Sequence, residues 1–318
     1  MTLLEQVMIV LVFPNKFLQW ILACIKTVNY TVLTNGTPCE PFNVAKGLRQ
    51  SDPISPFLFA ISMEYLSRCL LELKHVKEFK FHPRCAKLNI TRLSFSNDLL
   101  LFSRGDSTSI PALHKCFLTF TEASGLQPNL TKSSFYFGGV SQSHKDLILL
   151  QLGYGQGDLP FKYLGIPLST KKLSIIQWQP LINKITNRID SWTAKKLSYA
   201  GRIQLVQSVI FGIQAYWAQL FPIHVHVLKV IDAYYRSYIW FGTNTITKRA
   251  LVAWDKCCLP KSMGGMNLIN LQLWNRAVLA KTCRDLDHKQ DKLWIKCIHA
   301  YYIKGGQIHD MVIHKQAS

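Results

Sequence analysis

Leu93-Ser94-Phe95-Ser96-Asn97-Asp98-Leu99-Leu100-Leu101-Phe102 sets two apolar, strand-forming runs on either side of a polar centre. Asn and Asp tolerate the backbone geometry of tight turns, so the stretch predicts a β-hairpin with Asn97 and Asp98 at its tip. Turn chemistry alone accounts for these residue types. Taken by itself the segment specifies a hairpin and no activity.

About forty residues upstream stands Lys46-Gly47-Leu48-Arg49-Gln50-Ser51-Asp52-Pro53-Ile54-Ser55-Pro56-Phe57-Leu58-Phe59. Together the two segments resemble adjacent motifs of reverse transcriptases from LINE-type non-LTR retrotransposons, elements abundant in plant genomes. There the first motif reads close to Arg-Gly-Leu-Arg-Gln-Gly-Asp-Pro-Leu-Ser-Pro, and the hairpin carries Phe-Ala-Asp-Asp. The resemblance runs on in order. Ser124-Gly125-Leu126-Gln127-Pro128-Asn129-Leu130-Thr131-Lys132-Ser133 is similar to the fourth polymerase motif, and Phe161-Lys162-Tyr163-Leu164-Gly165-Ile166-Pro167-Leu168 to the primer-grip hairpin. Lys196-Leu197-Ser198-Tyr199-Ala200-Gly201-Arg202 and Pro260-Lys261-Ser262-Met263-Gly264-Gly265 resemble the segments that follow it.

The resemblance implies an α+β fold: a truncated polymerase palm, an antiparallel sheet with helices, over residues 1–170, then a mainly α-helical thumb-like region over 171–318. Residue patterning agrees with that order. Leu3, Leu4, Val7 and Met8 recur at helical spacing, Pro14 interrupts, and Phe17, Ile21 and Ile25 resume on one face. Tyr30 to Thr34 is strand-like and ends in the turn signal Asn35-Gly36. Helices are expected from Phe57 to Leu71 and from about Ile110 to Ala123, the latter stopped by Gly125. Beyond Ser169 long helical patterns dominate; Ser198 is an N-cap candidate for a helix with Ile203, Val206, Ile210 and Ile213 on its apolar face.

Templated nucleotide addition is phosphoryl transfer by two metal ions, which stabilise the attacking hydroxyl and the leaving pyrophosphate. Mg²⁺, the cofactor implied by the resemblance, demands hard oxygen ligands. In the family an Asp on an early strand and the hairpin Asp pair supply them. Here the first hairpin position is Asn97, which keeps a carbonyl oxygen but loses a charge. The early strand is expected just upstream of Thr2 to Gln6. Asp98 is therefore the one expected metal-binding carboxylate, in an incomplete site, and productive Mg²⁺ binding is not expected. Ser51 replaces the family's Gly, whose lack of a side chain lets backbone approach the nucleotide closely. The resemblance also assigns Gln50, Ser51 and Pro53 to the nucleotide pocket and makes Lys132 a proton donor to pyrophosphate. Arg49, Lys162, Lys195, Lys196 and Arg202 are candidates for phosphate contacts.

Composition supports a polyanionic partner. The 318 residues carry 37 Lys and Arg against 18 Asp and Glu, a formal charge of +19, with 48% hydrophobic residues as in a folded globular chain. Between Pro160 and Pro260 there are thirteen Lys and Arg, three Asp and no Glu. RNA and RNA–DNA duplex are the expected partners, bound weakly and without sequence preference. Nine cysteines form no C-x-x-C pair; Cys283, His288, Cys297 and His299 match no standard zinc spacing. Free thiols in a reducing compartment, nuclear or cytoplasmic, and no disulfide-linked partner are expected. The apolar run Val7 to Phe13 is too short to span a bilayer, and no membrane association is expected. Two readings share this fold: a reverse transcriptase fragment that does not polymerise, and a non-catalytic RNA/DNA-binding protein built from the same remnant. A third, a polymerase completed by another chain that supplies the missing strand, requires a partner.

Overall fold

The computed structural model describes residues 2–43, 47–49, 52–168, 173–193, 197–247, 249–288, 291–304 and 306. Its contacts divide the chain into two compact units, Met1–Gly157 and Asp158–Ser318. The hairpin around Tyr163 thus belongs with the second unit, ahead of the position near residue 170 where long helical patterns take over.

The first unit opens with helix α1 (Leu3–Val10), started by a capping box in which Thr2 and Glu5 each satisfy the other's backbone N–H. Helix α2 (Asn15–Lys26) follows Pro14. Short strands β1 (Asn29–Tyr30), β2 (Leu33–Thr34), β3 (Thr37–Pro38) and β4 (Phe42–Asn43) pair as β1–β4 and β2–β3. The β2–β3 turn holds Asn35 and Gly36 at φ 52° and 83°, the left-handed conformations that an Asn-Gly hairpin turn supplies cheaply. Helix α3 (Ser55–Glu72) runs from one small core to another. Its Leu58 packs with Leu4, Met8, Leu18 and Ile21 of α1 and α2; its Leu66 and Leu70 pack with Leu113 and Phe120 of α4 (Ser109–Ser124).

Between those helices lies the hairpin of β5 (Arg92–Phe95) and β6 (Asp98–Leu101). Gly125, at φ 71°, closes α4 as the sequence predicts. Strand β7 (Ser134–Phe135), helix α5 (Gln142–Leu152) and strand β8 (Gly155–Gln156) complete the unit, with β7 and β8 parallel. Among the described residues the strands form five separate two-stranded ladders, four antiparallel and one parallel, where the resemblance implies an antiparallel palm sheet.

The second unit begins with strands β9 (Phe161–Tyr163) and β10 (Ile166–Leu168), joined by Leu164 and Gly165 at φ 52° and 79°. It continues with helices α6 (Gln179–Thr193), α7 (Tyr199–Leu205), α8 (Phe211–Leu220), α9 (Val225–Phe241), α10 (Trp254–Cys257), α11 (Leu271–Asp287) and α12 (Leu293–Ile298). Ser198 caps α7 through the Gly201 N–H. A π-helical segment, Val206–Ile210, joins α7 to α8. Ile185, Ile189, Ile210, Leu228 and Ile231 form one large core with Trp178, Trp217 and Tyr238. Tyr235 is fully buried within it, and its hydroxyl donates to Gln214 Oε1. Most aromatics of the basic region are therefore packed in or against this core.

Asp232 of α9 is partly buried beside Trp254, whose Nε1 donates to Oδ1 at 3.1 Å. Burial pushes this carboxyl up to about 7, against the opposing pull of the Trp254 hydrogen bond and the Arg236 cation.

Candidate functional site

The turn of the β5–β6 hairpin consists of Ser96 and Asn97, with Phe95 and Asp98 directly opposite each other. Ser96 takes the left-handed conformation, φ 49°. The unusual backbone geometry thus falls one residue before the Asn-Asp pair that signals the turn in the sequence.

Register decides where the side chains go. Facing residues of an antiparallel pair share a face and neighbours alternate. Arg92, Ser94, Leu99 and Leu101 therefore stand on one face, with Leu93, Phe95, Asp98 and Leu100 on the other. Leu99 and Leu101 pack on the core formed by α3 and α4. Arg92 holds the same face down by hydrogen bonds to Ser67 of α3 and to Ser94 Oγ, the latter at 3.1 Å. Asp98 consequently points to the outer face, among Leu93 and Phe95, which are 39% and 60% exposed. Neither Asn97 nor Asp98 makes a side-chain hydrogen bond or ion pair among the described residues. Arg92 is the residue that docks the hairpin; its signal is a cation on the same face as Leu99 and Leu101.

Mg²⁺ coordination calls for several hard oxygens, and two adjacent ions need more than one carboxylate to offset their repulsion. The tip offers one carboxylate and one amide. Among the described residues no three His, Cys, Asp or Glu side chains come together to hold a metal ion. The donors described at the tip, one carboxylate and one amide, are fewer than a two-metal centre requires.

Gln50 and Ser51 lie outside the described residues, as do Lys195 and Lys196. Arg49 is exposed, and its carbonyl accepts from the Asp52 N–H at 3.5 Å. Asp52 Oδ1 accepts from the Ile54 N–H at 3.0 Å, which folds the Asp-Pro-Ile turn that launches α3. Pro53 sits in that turn, and Pro56 at the second helical position gives up no helical hydrogen bond. The residues of this motif that are described act as the helix start.

Lys132 is exposed in a loop organised by Asn129, whose Oδ1 accepts from Thr131 Oγ1 at 2.7 Å and from the Lys132 N–H at 3.2 Å. No hydrogen bond or ion pair joins Lys132 to the hairpin tip among the described residues. In the second unit Lys162 is exposed on β9, on the same face as the buried Pro167 opposite it. Arg202, a candidate phosphate contact, lies at the end of α9. Its Nη1 donates to the Tyr238 carbonyl at 3.2 Å, and Gly242, the αL cap of α9, lies against its guanidinium. A cation there complements the negative end of the helix dipole and satisfies a terminal carbonyl.

No disulfide joins any of the nine cysteines. Burial pushes the Cys258 thiol up to about 12, with Asp232, Cys257 and Asp255 adding to it. No helix among the described residues is long and apolar enough to cross a membrane.

The antiparallel hairpin follows a helix launched by an Asp-Pro turn, the order in which the two sequence motifs stand. Residues 4–168 match the reverse transcriptase (RNA-dependent DNA polymerase) family, and the chain belongs to that family. It is also 26% identical over 145 residues to a putative ribonuclease H protein of Arabidopsis thaliana, a stretch covering 46% of this chain and 23% of that protein. The chain thus spans under a quarter of that relative's length.

Proposed function

We propose that this chain is a nucleic-acid-binding member of the reverse transcriptase family, of the LINE-type non-LTR lineage of plants, whose hairpin does not catalyse nucleotide addition. The hairpin tip carries the reading. Asp98 is its lone carboxylate, its neighbour is the uncharged Asn97, and the face they border is apolar. One carboxylate does not hold two divalent ions against their mutual repulsion. The run of motifs and the similarity to a plant protein support the lineage. The +19 charge supports RNA and RNA–DNA duplex as partners.

Binding is sequence-tolerant in this account and rests on phosphate contacts, Lys162 among them in the basic second unit. Fluorescence anisotropy with a labelled RNA–DNA duplex across a series of NaCl concentrations tests it. The expected result is a linear fall of log affinity with log salt, as counterion release requires. Affinity that does not change with salt, or no binding in dilute salt, overturns the reading.

A further inference from the structure

The segment from Cys257 to Leu268 is a tightly tied loop with an exposed tip. The N–H groups from Met263 to Leu268 are all bonded within it. Met263 and Gly265 N–H groups both donate to the Pro260 carbonyl, Met266 N–H donates to Cys257, and Asn267 N–H donates to Leu259 at 2.9 Å. Gly265 is required by space, because a Cβ there meets the Leu259 carbonyl oxygen at 2.0 Å. Gly264 is required by conformation, at φ 76°. From the π-helical segment, Gln207 Nε2 reaches across to donate to the Met266 carbonyl at 2.9 Å and the Asn267 carbonyl at 3.1 Å. Tyr199 contributes a hydroxyl to Met266 Sδ at 3.2 Å. Interruptions of this kind in a helix recur at functional positions.

This anchored base displays Lys261, Ser262 and Met263, all exposed, Met263 to 66%. None of the three makes a side-chain hydrogen bond or ion pair among the described residues. Holding an unbranched apolar side chain in water at the end of a braced loop gains nothing for folding. Rigid loops that present side chains in this way are the usual carriers of binding. From Arg249 to Lys261 the chain has three cations and one carboxylate, Asp255, so the surroundings favour a polyanion.

We propose that the Pro260–Gly265 turn is a nucleic-acid contact, with the Lys261 ammonium on a backbone phosphate and the Met263 side chain against the sugar and base edge beside it. It rests on the reading of the chain as a nucleic-acid-binding protein and adds a specific point of contact. Lys supplies a compact charge suited to phosphate, and Met adapts to an irregular apolar surface.

The test uses the whole chain and its Lys261→Gln and Met263→Ser variants, with Lys145→Gln of α5 as control. Each is titrated into a labelled 20-base-pair RNA–DNA duplex by anisotropy at several NaCl concentrations. Lys261→Gln is expected to weaken binding and to flatten the log–log salt slope by about 0.9, the change for one lost phosphate contact. Met263→Ser is expected to weaken binding about three- to tenfold at unchanged slope, because it removes apolar contact and no charge. Thermal midpoints should match the parent chain, since both side chains are exposed. Variants that bind with the parent's affinity and slope overturn this contact while leaving the general binding reading in place. A parent chain that shows no salt-dependent binding overturns both.

Discussion

Replacing Asp232 by Asn should stabilise the second unit at pH 8 and remove a pH dependence that the parent chain carries. The Asp232 carboxyl is pushed up to about 7 from an ordinary value of 3.8, first by burial. The folded state therefore binds this proton more tightly than the unfolded state. The group's contribution is fully present below pH 4 and is lost progressively as pH rises to about 7. Each unit is worth about 1.4 kcal/mol, so the three-unit difference sets a ceiling of about 4 kcal/mol of destabilisation at pH 8. An Asn at this position keeps the carbonyl oxygen that accepts from Trp254 Nε1 and carries no charge to desolvate. Thermal unfolding followed by circular dichroism at pH 5 and pH 8 reads the difference. The variant should melt higher at pH 8, by at most roughly 8–16 °C, taking about 2–4 °C per kcal/mol for a unit of this size. Its advantage should shrink at pH 5, where the parent carboxyl is protonated. Parallel pH profiles for the two proteins, or a variant that melts lower at pH 8, refute the reasoning.

Three further outcomes follow from the same geometry. Asp106 Oδ1 accepts from the Thr108 and Ser109 N–H groups and the Thr108 hydroxyl at the start of α4. Although burial acts to raise it, these bonds together hold the carboxyl below its usual range. Asp106→Ala should cost about 1–2 kcal/mol in denaturant unfolding at pH 7, less at acid pH where the parent loses the same bonds. Arg202→Ala should lower the melting temperature of the second unit and leave the salt slope of duplex binding unchanged, because the guanidinium serves the end of α9. Thiol labelling at pH 8 should modify the exposed Cys24, Cys39 and Cys283 quickly and Cys257 and Cys258 only on unfolding.

Local chemistry made much of the fold legible. Pro14 splits α1 from α2, Asn35-Gly36 turns β2 into β3, Gly125 stops α4 and Ser198 starts α7, each through a constraint confined to a few neighbouring residues. The hairpin was legible for the same reason, and so was the position of Asp98 at its tip. What escaped depends on distant partners. Alternation in β5 and β6 gives two faces but not which of them meets α3; Arg92 and Ser67, twenty-five positions apart, decide it. Arg202 looks like any cation of a basic region until the end of α9 folds against it. The parallel pairing of β7 with β8 joins two-residue strands on either side of a helix, and strands so short leave no periodic trace. The π-helical segment keeps the apolar spacing of an ordinary helix, so Val206 and Ile210 give no warning of it.

A hairpin tip with Asn97 beside Asp98 is proposed not to support templated DNA synthesis. Primer extension on an RNA template, with the purified chain, all four deoxynucleotides and either Mg²⁺ or Mn²⁺, measures it directly. No extended primer is expected above the protein-free control at any concentration of either metal, under conditions where anisotropy shows the same primer–template bound. Extension that depends on the metal and disappears in Asp98→Asn contradicts it, because a single hairpin carboxylate will then have been enough.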